Sequence, residues 1–139
     1  MKTWIKEAVL KWESSETKLN PPASLAQLAE VERKLQFTFP EDFRQLYLTA
    51  NGFEGLDWQE HMFSFWSLGR IIDELEDIQN KDIIGFCDFL LNSHIIAFSR
   101  TRLGIFKHYE FKGTEVTDYL TDTFENAVKM INAGSDEIY

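Results

Sequence analysis

Three strand-like runs between residues 94 and 120, HIIAFS, LGIFKHYEF and EVTDYL, are parted only by RTR and KGT. Connections that short suit hairpin turns, so the runs predict an antiparallel meander in the C-terminal half of the chain. Upstream, MFSFW at 62–66 also alternates, with Phe63 and Phe65 facing one way, and reads as a further strand. Most of the remaining apolar residues recur at helical spacing. The resulting order is helices, one strand, a helix, the meander and a closing helix. That is an α+β plan, not the strict alternation of a parallel α/β sheet.

The helical segments carry their own punctuation. Trp4, Ile5, Ala8 and Trp12 share one face of a first helix, and Pro21 and Pro22 prevent its continuation. Ser24 with Gln27 forms a capping-box signature ahead of a mostly apolar stripe, Leu25, Leu28, Val31, Glu32 and Leu35. In FPEDFRQLYLTANG, Pro40 suits the first helical position, and Glu41 and Asp42 sit beside the positive end of the dipole. Phe43, Leu46, Tyr47 and Ala50 then share a buried face, and Asn51-Gly52 supplies residues that tolerate the left-handed conformation ending many helices. SLGRIIDELEDIQN returns to helical spacing through Ile71, Leu75 and Ile78. A second capping pair, Asp122 and Glu125, precedes Phe124, Ala127, Val128 and Ile131 on a helix that stops at Gly134. No internal repeat, low-complexity tract or linker divides the chain. The expectation is a single domain over 1–139, its antiparallel sheet packed with helices from both ends of the chain.

Composition narrows the function classes. Aromatics make up 14% of the chain, with 12 Phe and 4 Trp, so the core is expected to be built from rings. The single Cys87 lies in IIGFCDFLL, cannot form an internal disulfide, and reads as a buried inert thiol. Charges punctuate the first residues, and the apolar stretches fall short of a membrane span, so a cytoplasmic protein is expected. The net charge of −9, from 23 acids and 14 bases, disfavours nucleic-acid binding and anionic membrane surfaces. It is electrostatically suited to a basic protein partner.

Catalytic constellations are not evident. His61, His94 and His108 lack HExxH spacing and Cys partners, so no metal is expected. Asp57, Glu60 and His61 fall together in DWQEH, a composition that a solvated loop also explains. His94 and His108, in neighbouring predicted strands, read as satisfied strand histidines. There is no GxSxG elbow, no basic residue near Cys87, and no phosphate-binding glycine loop. Neither an enzyme nor a cofactor is expected. Two surfaces remain as partner-binding candidates. One is the acidic helix, Asp73, Glu74, Glu76 and Asp77, extended by Asp82 and Asp88. The other is NGFEGLDWQEHMF, where Phe53 and Met62 are assigned to the core, while Trp58, flanked by Asp57 and followed by Glu60, is expected to be exposed.

The segment PPASLAQLAEVERKLQFTFPEDFRQLYLTANGFEG resembles the SUKH superfamily, which includes a yeast cell-wall-synthesis regulator and many bacterial immunity proteins. Leu35, Phe39, Pro40, Glu41, Asp42, Phe43, Leu46, Asn51 and Gly52 occupy the places of the family pattern. Thr123, Phe124 and Glu125 resemble its closing Ser/Thr-Phe-Glu helix. The resemblance implies a non-enzymatic protein-binding module, most often an immunity protein that neutralises a cognate polymorphic toxin such as a nuclease. The alternative it implies is a scaffold or regulatory domain in a host pathway such as cell-wall synthesis.

Overall fold

Ser24 shows how the first long loop hands over to a helix. Its Oγ accepts from Gln27 N at 3.0 Å while Gln27 Oε1 accepts from Ser24 N at 2.8 Å, the capping box anticipated from sequence. The structure, a computed structural model, describes residues 1–139. Its helices are α1 (Thr3–Ser14), α2 (Leu25–Leu35), α3 (Glu41–Tyr47), α4 (Leu68–Leu75) and α5 (Phe124–Ala133). The strands are β1 (Phe63–Phe65), β2 (Ile83–Phe89), β3 (His94–Ser99), β4 (Ile105–Phe111) and β5 (Thr114–Thr121). They form one antiparallel sheet in the order β1-β2-β3-β4-β5, so the α+β plan holds.

β2 lies in the stretch IIGFCDFLL, which alternation alone does not mark as a strand. Its burial pattern explains why: Ile83 to Asp88 are all buried, because helices cover both faces of the sheet there. One face packs on α1, α3 and α5 through rings. Phe43, Phe86 and Phe98 surround Phe124, with centroids 5.0, 5.1 and 6.2 Å from its ring. Trp12 tilts against Phe65 at 5.1 Å, and its indole N–H donates to Asn132 Oδ1 at 2.8 Å, tying α1 to α5. The other face carries Trp66, whose ring lies flat enough on Gly85 that a Cβ there would stand 2.8 Å away. Cys87 is fully buried, and burial pushes its thiol well above the usual range, which keeps it protonated and unreactive.

Several local expectations are displaced by tertiary contacts. α3 stops at Tyr47, and Pro40 is its N-cap residue, one position before the first helical turn. Ala50 and Asn51-Gly52 therefore lie beyond that helix. Asn51 Oδ1 instead accepts from Leu68 N at 2.8 Å, serving the start of α4. Gly52, at φ 65°, lies so close to strand β1 that a Cβ would fall 2.5 Å from the Trp66 carbonyl carbon. α5 is capped by Thr123, whose Oγ1 accepts from Asn126 N at 3.1 Å, and not by Asp122. Ile78 reaches the core from beyond the end of α4. Met62 is 46% exposed and not part of the core, whereas Phe53 is buried as expected. Glu32, the acid on the α2 stripe, turns its carboxylate to Phe39 N at 2.8 Å.

Candidate protein-binding surface

Helix α4 begins at Ser67, whose Oγ accepts from Arg70 N at 3.1 Å, and buries Leu68 and Ile71 against the sheet. That register leaves Asp73, Glu76 and Asp77 facing solvent, with no hydrogen bond or ion pair to their carboxylates. Glu74 is half-buried between Arg70 Nε and Asn92 Nδ2, each at 3.4 Å. Of the nearby bases, Lys112 at the hairpin tip lies over the Phe111 ring, and two others are engaged by the fold. Lys81 donates to the carbonyls of Leu75 and Ile78 at 2.9 and 2.6 Å, closing the C-terminal end of the helix. Arg70 lies 3.1 Å from Asp88 and 4.9 Å over the Trp66 ring.

The β4–β5 hairpin extends this acidic face. Glu110 accepts from the backbone N–H groups of Gln79 and Asn80 at 2.8 and 2.9 Å, and its Oε2 lies 2.8 Å from His108 Nε2. Burial alone would raise its pKa, but these hydrogen bonds prevail and hold the carboxyl below its usual value. Glu115 accepts from the Asn80 amide beside it. Nothing in the residue pattern groups Glu110 and Glu115 with α4, because strand alternation says nothing about which loop the hairpin meets.

Two acids assigned to the cluster do not belong to its surface. Asp88 is buried, accepting from Trp66 Nε1 at 2.6 Å and Asn92 N at 2.9 Å. Asp82 is held by Ser99 and Thr101 at 2.5 and 2.8 Å; burial would raise its carboxyl, yet those bonds keep it lowered. Both carboxylates build the fold.

Asp57, Trp58 and Glu60 fall on the other side of the sheet from α4. Phe65 turns toward Trp12 and Phe124, whereas the next residue, Trp66, turns toward Arg70 and Asp88. Asp57 Oδ2 accepts from Lys18 N at 2.7 Å, and the Trp58 carbonyl accepts from Thr17 Oγ1 at 3.1 Å. Glu60 lies 3.4 Å from Lys11 Nζ and 3.2 Å from His61 Nε2. Trp58 is 41% exposed, as its polar neighbours suggested. The seven residues singled out therefore form two separate surfaces, of which the α4 side holds the unpaired charge.

The histidines are engaged separately. His94 Nε2 lies 2.8 Å from the Ile138 carbonyl, and His108 Nδ1 lies 2.7 Å from Thr117 Oγ1. His108 stands opposite Ile95, not opposite His94. No three His, Cys, Asp or Glu side chains are grouped to hold a metal ion. A cleft of 340 Å³ beside Phe37, Phe98 and Phe124 includes Asp42, but that carboxylate accepts from Phe43 N and Glu125 N, each at 2.9 Å.

The resemblance drawn from FPEDFRQLYLTANG is matched by comparison with known families: a model of the SMI1/KNR4 family (SUKH-1) covers residues 22–127. The chain belongs to this family. The SUKH-1 match spans α2 to the first turn of α5 and includes both arms of the acidic face. It leaves out α1, although Trp12 of that helix is part of the core. No curated protein matches the chain. No helix is long and apolar enough to cross a membrane.

Proposed function

We propose that this SUKH-1 protein is a non-enzymatic protein-binding module that neutralises a cognate toxin carrying a basic domain. The observation that carries the reading is the face shared by α4 and the β4–β5 hairpin. Asp73, Glu76 and Asp77 project there without a partner in the chain, and the neighbouring bases Lys81 and Arg70 are occupied internally. A surface of one sign steers an oppositely charged domain into encounter, while buried contacts at its centre set the dissociation rate. Asp57, Trp58 and Glu60 supply a second contact region on the opposite side, with Trp58 as its apolar anchor. Membership of the SUKH-1 family and the net charge of −9 support the same reading. The protein acts in the cytoplasm, where it meets an incoming toxin.

The test is affinity capture of the tagged protein from its own cells, with bound proteins identified and the wash repeated at high salt. The expected result is one stoichiometric basic partner whose C-terminal domain kills cells lacking this protein. Replacing Asp73, Glu74, Glu76 and Asp77 with their amides should slow association with that partner and flatten its salt dependence. Capture of cell-envelope or housekeeping enzymes alone would overturn the toxin reading in favour of a regulatory scaffold.

A further inference from the structure

The two edges of the sheet are treated differently by the fold. β1, only three residues long, is closed on its outer side by the preceding loop. Phe53 N donates to the Phe65 carbonyl at 2.8 Å, Gln59 N to the Phe63 carbonyl at 2.9 Å, and Phe63 N to Gln59 Oε1 at 3.1 Å. At the opposite edge, β5 runs for eight residues and pairs with β4 along its length. Its backbone makes no hydrogen bond other than those of that ladder. The N–H and C=O groups on its outer side therefore stand open. Open edges are ordinarily blunted by shortness, proline, lysine or a bulge. β5 has no proline or lysine, and the irregularity in its pairing is confined to the far end, between Ile105 and Phe106 of β4.

The two faces beside this edge differ in chemistry. Register places Val116 opposite Tyr109 and Thr114 opposite Phe111, and Val116, Tyr109 and Phe111 are all exposed. On the alternate face, Glu115 stands opposite Glu110, next to the Asp77–Asn80 turn that those two acids hold. Asp118 is exposed on the Val116 face, where it stands opposite Lys107 and past the apolar pairs, and residues 114–121 contain no base.

We propose that the β5 edge is the docking site for an extended strand of the partner protein, one that alternates apolar and basic side chains. This inference rests on the reading of a basic protein partner and names its recognition element. Added as a sixth strand, the segment places its apolar residues beside Val116, Tyr109 and Phe111. Its lysines or arginines fall on the side of Glu115 and Glu110. Backbone pairing supplies the affinity and the alternation supplies the selectivity. A second copy of this chain is disfavoured as the occupant, because it would lay one strand bearing Glu115 and Asp118 against another.

The experiment follows amide exchange of residues 114–121 by NMR, with a blocked peptide of alternating valine and lysine, equal to β5 in length, as the probe. Peptides of alternating valine and glutamate, and of valine and lysine in separate blocks, serve as controls. In the free protein the outward amides of β5 should exchange rapidly, and only the alternating valine–lysine peptide should protect them. Glu115→Lys should weaken that peptide by about tenfold and favour the valine–glutamate one, with Glu115→Gln as the milder variant. Protection elsewhere on the protein, equal protection by all three peptides, or none, overturns the proposal. So does a protein that sediments as a dimer with its β5 amides already protected. A toxin partner that leaves these amides exposed would sink this inference alone; peptide pairing at β5 without any toxin partner would sink the immunity reading alone.

Discussion

Replacing Gly52 with alanine tests whether the Asn51-Gly52 pair is governed by the sheet or by helix termination. A left-handed φ of 65° carries a cost of about 1–2 kcal/mol for any residue with a Cβ. Here a Cβ would also fall 2.5 Å from the Trp66 carbonyl carbon and 2.7 Å from Ser67 N, both backbone atoms. Backbone cannot swing aside as a side-chain end can. Relief requires moving the turn that joins β1 to α4, which holds Phe53 N on the Phe65 carbonyl and Leu68 N on Asn51. Overpacking of that kind adds roughly 1–3 kcal/mol, for a combined loss of about 2–5 kcal/mol. Gly55 is the internal control: its φ is 56°, but a Cβ there meets nothing within 4 Å. Gly55→Ala should cost only the conformational share. In a thermal melt, Gly55→Ala should lower Tm by about 3–6 °C, and Gly52→Ala by more than that. Equal losses in the two variants would refute the close-approach argument.

Two further perturbations probe the buried polar groups. Asp88→Ala removes the acceptor for Trp66 Nε1 and Asn92 N and leaves Arg70 with Glu74 as its one remaining carboxylate, so urea denaturation should show a loss of about 3–5 kcal/mol. Glu110→Gln tests the lowered carboxyl: its folded pKa lies below the unfolded 4.5, so its contribution is complete above about pH 4.5 and lost as the pH falls through the folded value. The variant should be less stable than the parent at neutral pH, and the gap should narrow in denaturation curves measured below that pH; a gap independent of pH would refute the assignment.

Much of the architecture was legible because its signals are local. The capping box at Ser24 and Gln27 needs four residues to be read, and the α1 face of Trp4, Ile5, Ala8 and Trp12 needs nine; all four residues of that face are buried. The meander followed from connection lengths, and HIIAFS coincides with β3. β2 was missed because burial on both sides erases alternation. The limits of α3 were misjudged because Asn51 and Gly52 obey partners far along the chain: Leu68 for one, Trp66 for the other. The candidate surface divided for a similar reason. Asp88 and Asp73 look alike in sequence, yet only a strand register turns Asp88 toward Trp66 and Arg70. Conversely, Glu110 and Glu115 join the α4 acids through a hairpin tip whose neighbour no period announces.

The residues that make this fold recognisable are spent on making it. In FPEDFRQLYLTANG Asp42 accepts from Phe43 N and Glu125 N, Tyr47 donates to the Trp66 carbonyl, and Asn51 caps α4. Asp73, Glu76 and Asp77 do the reverse: they form no bond within the chain and stand at the C-terminal end of α4, where a helix favours cations. That placement costs the free protein a few tenths of a kcal/mol. Charge held against the interest of the fold is expected when something outside the fold uses it. Asp73→Asn, Glu76→Gln and Asp77→Asn together should therefore raise Tm by a few degrees while slowing capture of a basic partner. A variant that melts lower than the parent would mean that these acids support the structure, and would remove them from the binding account.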